Sequence, residues 1–223
     1  MLELRETSDG SHTLYVPELN ETYHSTFGAV QESLHVFIGN GLDFWVKNNP
    51  GKTAVSVFEM GFGTGLNALL TYDYAIKNNL ELYYAAIEKF PISSEWVDKL
   101  NFTKLHDLSR YDQVFSRMHR CLWNEPFDFQ RFILHKICDD IKTFSFDRYY
   151  DIVFFDAFAP SVVPELWSVD VFRKINEAMN RNGVLTTYSS KGEVKRNLLS
   201  AGFSIERLQG PPGKRHMLRA IAM

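Results

Sequence analysis

Three glycines at alternate positions, Gly61, Gly63 and Gly65, separate a β-branched segment that ends at Glu59 from an apolar, helix-like segment. Glycine adopts positive φ without steric cost and lets the backbone approach a ligand closely. The N–H groups at the start of a helix have no intrahelical partner, so we expect those of this turn to be available to polar ligand atoms. The pattern therefore predicts the first strand-to-helix turn of a nucleotide-binding α/β sheet.

The spacing of the glycines indicates which nucleotide is bound. A dinucleotide fingerprint requires G-x-G-x-x-G, whereas Leu66 stands here at the position of the third glycine and is followed by Asn67. With Glu59 just before the turn, this spacing favours S-adenosylmethionine over NAD.

Two further acidic residues follow predicted strands. Glu88 ends the segment Ala85-Ala86-Ile87-Glu88, 23 positions after Gly65. A carboxylate at that strand end can accept hydrogen bonds from both ribose hydroxyls of an adenosine, although an exposed strand-end charge is the alternative. Asp140 follows the next strand, where an acid can meet the adenine amino group, but Asp139 or Asp140 could equally cap a helix.

A strongly apolar segment, Tyr150–Phe155, leads directly to Asp156. The ligands of open α/β sheets bind at the carboxyl ends of such buried strands. Methyl transfer from a sulfonium requires an uncharged nucleophile held in line with the S–CH3 bond. Asp156 can accept a hydrogen bond from a substrate amine and help to remove its proton, while Phe158 supplies an aromatic wall beside a cation. A structural cap at the strand end is the alternative for Asp156.

Alternating strand-like and helix-like segments from about Thr53 onward must position these residues. The predicted strands are Val55–Glu59, Leu82–Glu88, Phe132–Lys136, Asp151–Phe155, Val184–Tyr188, Phe203–Leu208 and Met217–Ala222. The predicted helices are Leu66–Lys77, Ser94–Asn101, Ser109–Cys121, Val169–Asn180 and Lys191–Ser200. The last two strands are joined by a link too short for a helical crossover, so the final strand must be antiparallel. We predict an α/β, Rossmann-like class I methyltransferase fold with a seven-stranded, mostly parallel sheet.

The first fifty residues have a different character. Asp9-Gly10-Ser11 and Pro17 separate short segments, and the helical spacing of apolar residues over Phe27–Trp45 is interrupted at Gly39-Asn40-Gly41. We interpret residues 1–50 as a small N-terminal cap near the ligand mouth and residues 51–223 as the Rossmann-like domain.

The overall composition favours a packed protein in a reducing compartment. Hydrophobic residues make up 45% and charged residues 23% of the 223 residues, which disfavours disorder. Two cysteines without framework spacing, the absence of a leader-like start and the absence of a long apolar run predict a cytoplasmic protein without a membrane span. The seven histidines show no metal-binding spacing. His24 is the one closest to a site, although a surface position is the simpler interpretation.

The charge is distributed unevenly. The net charge is −3, yet residues 181–223 carry eight Lys and Arg against two Glu, so this end is +6 and the remainder −9. Such a basic end predicts a face that follows the phosphates of a nucleic acid, although a solvated helix surface has the same composition. The residues assigned to this face are Lys191, Lys195, Arg196, Lys214 and Arg215.

Several spaced blocks resemble one family, the tRNA 5-methylaminomethyl-2-thiouridine methyltransferases, which comprise the stand-alone MnmD proteins and the methyltransferase half of bifunctional MnmC. The blocks are Tyr23-His24-Ser25, Gly28–Ser33, Val36-Phe37-Ile38, Gly61–Asn67, Asp156–Pro160, Pro164–Trp167 and Gly210–Arg219. One block departs from the pattern, because Ser189-Ser190 stands before Lys191-Gly192 where the family has Cys-Ala. A role for position 189 is therefore left open.

The resemblance implies methyl transfer from S-adenosylmethionine to the amine of 5-aminomethyl(-2-thio)uridine at the wobble position of tRNA. It implies that Asp156 and Phe158 act at the amine. It implies a cofactor site made of Glu59, Gly61, Gly63, Gly65, Asn67, Glu88 and Asp140. The precursor would come from the enzymes that install the aminomethyl group. Since no second glycine-rich fold precedes Met223, no flavin oxidase activity is expected.

Two other classes of function stay open on the sequence. An aminopropyltransferase, or another small-amine N-methyltransferase, has a related fold; the former needs a strongly acidic amine channel, whereas the end of this chain is basic. A non-catalytic tRNA-binding protein would have lost cofactor binding, against which the glycine turn, Glu88 and Asp156 all argue. Calorimetry with S-adenosylhomocysteine, with and without tRNA, separates these classes.

Overall fold

The computed structural model describes residues 2–105 and 107–223. Their strands form two sheets. In chain order they are β1 Glu3–Glu6, β2 His12–Val16, β3 Glu21–Thr22, β4 Ala54–Met60, β5 Glu81–Ile87, β6 Pro126–Asp128, β7 Phe132–Ile137, β8 Tyr150–Phe155, β9 Met179–Thr187, β10 Phe203–Gln209 and β11 His216–Ala222. The first three strands pair antiparallel in a small sheet of their own.

The larger sheet has the strand order β10-β11-β9-β8-β4-β5-β7-β6. The pairs β4–β5, β4–β8, β5–β7 and β8–β9 are parallel, whereas β11 is antiparallel to both β9 and β10. The predicted fold and its antiparallel last strand are confirmed. Within the described residues the sheet has eight strands rather than seven, because Pro126–Asp128 pairs antiparallel with the edge strand β7. Three residues that begin with proline are too few to show strand periodicity.

Helices cover both faces of the larger sheet. They are α1 Ala29–Ser33, a π-helix Leu34–Asp43, α2 Phe44–Asn48, α3 Leu66–Lys77, α4 Ser94–Val97, α5 Asp112–Arg120, α6 Val169–Glu177 and α7 Gly192–Ser200, with 3-10 turns at Phe102–Lys104, Leu108–Tyr111 and Pro164–Trp167. One apolar layer contains α3 and the helical segment 29–48, and the other contains α6 and α7. Because both faces are covered, β4 and β8 are buried over most of their length.

Several predicted helices end earlier than their sequence pattern suggested. The predicted helix Ser94–Asn101 stops at Val97, because the Asn101 side chain accepts from the His12 N–H and donates to the Gly10 carbonyl. Likewise α6 ends at Glu177, and Asn180 already belongs to β9. The predicted helix Ser109–Cys121 is divided into a 3-10 turn and α5.

The N-terminal helical segment passes through Gly39-Asn40-Gly41 without a break, contrary to the sequence prediction. A Cβ on Gly41 would lie 3.1 Å from both the Phe154 ring and the Thr186 hydroxyl. The glycine therefore permits close packing of the π-helix against β8 and β9, and it does not end the helix. None of the helices in the described ranges is both long and apolar enough to cross a membrane.

Candidate active site

A cavity of about 680 Å³ opens at the carboxyl ends of β4, β5 and β8. The chain turns from β4 toward β5 on one side, and β8 lies on the other side of β4. This is the switch point at which ligands bind in open α/β sheets. The glycine turn, the N-terminal segment around Tyr23 and the hairpin around Lys214 complete the wall.

The glycine turn has the conformation that its sequence predicts. Gly61, Gly63 and Gly65 have φ values of 92°, 49° and 73°, and Gly65 precedes α3 as its left-handed N-cap. Their N–H groups, however, are engaged by the protein: Gly61 donates to Ile87, Gly65 to Phe62 and Gly63 to the Glu88 carboxylate. The prediction that these N–H groups are free for a ligand is therefore wrong for the three glycines.

Glu88 follows β5 and lines the cavity. Its Oε2 accepts from Gly63 N–H at 3.1 Å and its Oε1 from Phe90 N–H at 2.8 Å. These bonds connect the end of β5 to the glycine turn. A carboxylate has about four acceptor positions, so the oxygens can still receive ribose hydroxyls.

Asp140 lies on the same wall of the cavity, in a turn and not at a helix start. Its carboxylate accepts from the Lys142 N–H at 3.0 Å and from the Lys89 ammonium at 2.9 Å. The hydrogen bond from the Lys142 N–H, followed by that from Lys89, lowers the pKa of Asp140. Both bonds thereby favour the ionised carboxylate. The neighbouring Ile141 is buried.

Asn67 connects two acidic residues at the base of the cavity. Its Nδ2 donates to Glu59 Oε1 and to Asp156 Oδ2, each at 2.9 Å. Glu59 is buried at 1% exposure and Asn67 at 3%, while Asp156 is half-buried at the end of β8. The second oxygen of Glu59 has no hydrogen-bond partner among the described residues. The side chain of Asn67 therefore supports the acidic pair from within the protein.

Burial changes the protonation of both acids, because it disfavours the charged form. It raises the pKa of Glu59 well above its usual range and that of Asp156 to about 7. The charge of Glu32 raises the pKa of Asp156 further, whereas the Asn67 hydrogen bond and Lys214 lower it. Asp156 can thus take up or release a proton near neutral pH, which is what a group that exchanges a proton with an amine requires.

Aromatic side chains surround Asp156. Phe158 meets Tyr23 edge to face, with 5.1 Å between ring centroids, and both rings line the cavity. Tyr188, at the end of β9, donates its hydroxyl to the Ala157 carbonyl at 2.8 Å. Such a wall suits a cationic or planar group, because ring faces attract cations and stack on bases.

The structure separates Lys214 from the other basic residues. Lys191, Lys195, Arg196 and Arg215 are exposed. Lys214 is instead half-buried, forms an ion pair with Glu32 and lies 3.9 Å from the centre of the Tyr188 ring. We therefore assign Lys214 to the cavity and not to the exposed basic face. Ser189 is buried and lies outside the cavity lining.

Glu32 and Tyr188 are cavity residues that the sequence interpretation did not select. Glu32 is 6% exposed and accepts from the Ser25 N–H at 2.9 Å. Glu32 stands among other polar residues, since Gln31, Ser33 and His35 also lie between Val30 and Val36, so the sequence held no signal that singled it out. A buried carboxylate is costly without partners, and the structure supplies them in Ser25 and Lys214.

His24 is buried, so the interpretation as a surface residue is wrong. Its ring nitrogens share hydrogen bonds with Thr64 at 3.2 Å and Thr13 at 3.4 Å. Burial lowers its pKa to about 4, which leaves the ring uncharged at neutral pH. His24 thereby connects β2 to the glycine turn.

The lining suits a nucleoside cofactor and gives no indication of a metal centre. Backbone at positive φ, a carboxylate at each of two strand ends and the apolar Ile141 and Phe90 together match the parts of an adenosine. Across residues 2–105 and 107–223 no three His, Cys, Asp or Glu side chains come together as metal ligands. Cys121 and Cys138 are both free thiols.

Comparison with known proteins gives one family and several relatives. The model of a family described as S-adenosyl-L-methionine-dependent methyltransferase matches residues 108–223. A tRNA 5-methylaminomethyl-2-thiouridine biosynthesis bifunctional protein MnmC from Burkholderia multivorans is 32% identical over 219 residues, which cover 92% of this chain and 33% of the relative. The protein of the same name from Cupriavidus metallidurans is 31% identical over 95% of this chain and 32% of its own length. The chain thus spans about a third of the length of these curated relatives.

Similar solved structures include proteins from Aquifex aeolicus and Streptomyces venezuelae. MNMC2 from Aquifex aeolicus has a TM-score of 0.81 at 26% identity, with all of this chain and 70% of that chain covered. DesVI from Streptomyces venezuelae has a TM-score of 0.50 at 12% identity, over 86% of this chain and 93% of that chain, which is a similarity of fold alone.

Proposed function

The chain belongs to the S-adenosyl-L-methionine-dependent methyltransferases, and we propose that it methylates the amine of 5-aminomethyl(-2-thio)uridine at the wobble position of tRNA. The product is 5-methylaminomethyl(-2-thio)uridine. The observation that carries this proposal is Asp156, with a pKa of about 7, which lines the cavity together with the aromatic pair Phe158 and Tyr23. The names of the relatives, which match about nine-tenths of this chain, supply the substrate class.

When bound, S-adenosylmethionine supplies a methyl group on a positively charged sulfur. Glu88 is suited to the ribose hydroxyls and Asp140 to the adenine amino group, since both line the cavity with carboxylates. Gly61, Gly63 and Gly65 leave room for the cofactor beside the backbone. Glu59 and Asn67 are suited to hold Asp156 and the start of α3 in position, because the Asn67 amide donates to both acids.

Asp156 and Phe158 are the residues we assign to the acceptor amine. An aminomethyl group is mostly protonated at neutral pH, and its nitrogen lone pair is then unavailable. The ionised Asp156 accepts an N–H of the uncharged amine and thereby orients its lone pair. The rings of Phe158 and Tyr23 restrict the amine to the direction of the methyl group.

The exposed residues Lys191, Lys195, Arg196 and Arg215 are suited to the phosphates near the anticodon. We also propose that residues 1–50 act as a cap on the domain formed by 51–223, which is supported by Tyr23 and Glu32 in the cavity wall. A tRNA substrate further implies a cytoplasmic location and cooperation with the enzymes that install the aminomethyl group.

Methylation of defined tRNAs tests the proposal. Purified protein and S-adenosylmethionine are incubated with tRNA that carries 5-aminomethyluridine at the wobble position, and the nucleosides are analysed by mass spectrometry. A gain of one methyl group at that nucleoside is expected, with no change in tRNA that carries unmodified uridine. Free 5-aminomethyluridine and small polyamines serve as comparison substrates. Preferential methylation of these small amines would replace the tRNA proposal with a small-amine methyltransferase.

A further inference from the structure

Glu32 and Lys214 form an ion pair inside the cavity, although they are 182 positions apart in the sequence. Lys214 lies in the link between β10 and β11, and Glu32 lies in α1. The link packs closely against the N-terminal segment: a Cβ on Gly213 would overlap the Phe27 ring, so only glycine allows this approach. A short glycine-containing hairpin is thereby fixed with its lysine pointing into the acceptor side of the cavity.

Two contacts fix the position of the pair, and a third connects it to the acceptor site. The other oxygen of Glu32 accepts from the Ser25 N–H at 2.9 Å. The Lys214 ammonium lies 3.9 Å from the centre of the Tyr188 ring, which attracts the cation through its π face. Tyr188 in turn donates to the carbonyl of Ala157, the residue between Asp156 and Phe158. The charge of Lys214 is therefore connected to the acceptor site through a short chain of contacts.

We propose that Glu32 and Lys214 are positioning residues for the methyl acceptor, in which Lys214 is a fixed positive charge that favours an uncharged amine beside an ionised Asp156. The proposal rests on the proposed function and deepens it. When the aminomethyl group of the substrate is bound as an ammonium, it and the ionised carboxylate of Asp156 together have no net charge. The reactive state, in which the substrate amine has released one proton to solvent and Asp156 is still ionised, has a net charge of −1. A nearby cation stabilises that state, and a nearby anion opposes it.

Of the charged groups that line the cavity, Lys214 lowers the pKa of Asp156 and Glu32 raises it. Lys89 and Lys142, which also line the cavity, pair with Asp140. The remaining titratable residues that line the cavity with Asp156 are Glu21, Tyr23, His24, Glu32, Glu59, Glu88, Asp139, Glu165, Tyr188 and Lys214. His24 is uncharged at neutral pH, because burial lowers its pKa to about 4. Burial raises the pKa of Glu59, Tyr23 and Tyr188, which favours the uncharged form of each side chain.

The first test measures the titration of Asp156 in the protein alone. Carbon-13 NMR of labelled aspartate follows its carboxyl carbon from pH 5 to 9, and the Asp156→Asn spectrum assigns the signal. Lys214→Met should raise the midpoint by about 0.5–1 unit, and Glu32→Gln should lower it by a similar amount. The double variant should return toward wild type, and Lys214→Arg should resemble wild type. Lys77→Met, at the far end of α3, removes a charge at a distance and should leave the midpoint unchanged.

The second test repeats these variants in single-turnover methylation of tRNA bearing 5-aminomethyluridine, at saturating tRNA. The rising limb of the pH profile should move in the same directions as the NMR midpoints. Shifts of the same sign in both single variants, or no shift in either, would overturn the proposal. An unchanged profile with a raised KM for tRNA in Lys214→Met would make Lys214 a phosphate contact instead. If the midpoints move as expected but the wild-type protein does not methylate this tRNA, the proposed function is wrong, while the effect of Lys214 and Glu32 on Asp156 is confirmed.

Discussion

Asn67 donates its side-chain amide to Asp156 at 2.9 Å. The same nitrogen reaches Glu59, so a single residue supports both acids. A hydrogen bond to the ionised form of a carboxyl group favours that form. The Asn67 amide therefore increases the fraction of Asp156 that is ionised at neutral pH, where the proposed reaction needs it.

Replacing Asn67 by the similarly sized leucine removes this donor. The pKa of Asp156 should then rise above its value of about 7. We expect the single-turnover rate to fall several-fold at pH 7 and to recover in part at pH 9. Thr71→Val, one turn further along α3, removes a buried hydroxyl and is the matched control, which should keep the wild-type pH midpoint. A rate lowered equally at every pH would mean that Asn67 only supports the fold.

Glu59 should make the protein less stable as the pH rises. Its pKa is raised well above the usual value by burial, so the folded protein retains a proton that the unfolded chain loses near its ordinary pKa of about 4.3. Above that pH, the unfolding free energy falls by up to about 1.4 kcal/mol per pH unit until the folded-state pKa is reached. Glu59→Gln keeps an acceptor for Asn67 and removes this dependence.

Urea unfolding of wild type and Glu59→Gln from pH 5 to 9 measures the effect. The variant should gain stability relative to wild type as the pH increases. Asp156, whose pKa is also raised, titrates in both proteins and interacts with Glu59, so the difference between the two curves reports on Glu59 together with this interaction. Parallel curves would show that Glu59 is ionised in the folded protein.

Gly63→Val should abolish S-adenosylhomocysteine binding while the protein stays folded. Gly63 has φ of 49°, and an added Cβ would lie 3.1 Å from the Tyr23 ring in the cavity wall. Gly51→Val is a matched control, because Gly51 also has positive φ but no atom within 4 Å of such a Cβ. Calorimetry should show no binding by the first variant and normal binding by the second. Equal weakening of S-adenosylhomocysteine binding in the Gly63→Val and Gly51→Val variants would indicate that backbone strain is the cause.

The sequence predicted the sheet and its active edge well, since these depend on local patterns. Helix Leu66–Lys77 is confirmed at both ends. Asp156 and Glu88 lie at strand ends as expected, because the buried apolar runs before them identify those strands. The side chains of these residues converge on one cavity.

Contacts between distant segments could not be predicted in the same way. Lys214 belongs to a basic stretch of sequence, and nothing local indicates that it would pair with Glu32 across 182 positions. The helix at Ser94 ends early because Asn101 is held by residues of the N-terminal sheet. Local periodicity contains no information on such tertiary partners.

The exposed basic face should contribute to tRNA binding through charge. Lys195→Gln or Arg215→Gln should raise the KM for tRNA and reduce the slope of log affinity against log salt by about one unit or less for each phosphate that is no longer neutralised. Cofactor affinity should not change, because neither residue lines the cavity. Lys77→Gln, an exposed lysine outside this face, controls for a general change in net charge. An unaltered salt slope would identify the face as merely solvated.

Asp156→Asn tests the chemistry most directly. Asparagine has nearly the same shape and an oxygen that can still accept from Asn67, so the cavity and cofactor binding should be preserved. The side chain can no longer become a carboxylate, so the single-turnover rate should fall by about 10²-fold or more. The wild-type rate should rise through pH 7, where Asp156 loses its proton, and the variant should lack that step. Phe158→Ala should also be slower but should keep the step, because it removes the orienting ring and not the carboxylate. If Asp156→Asn equals wild type from pH 6 to 9, Asp156 is a structural residue and the amine must be deprotonated by solvent.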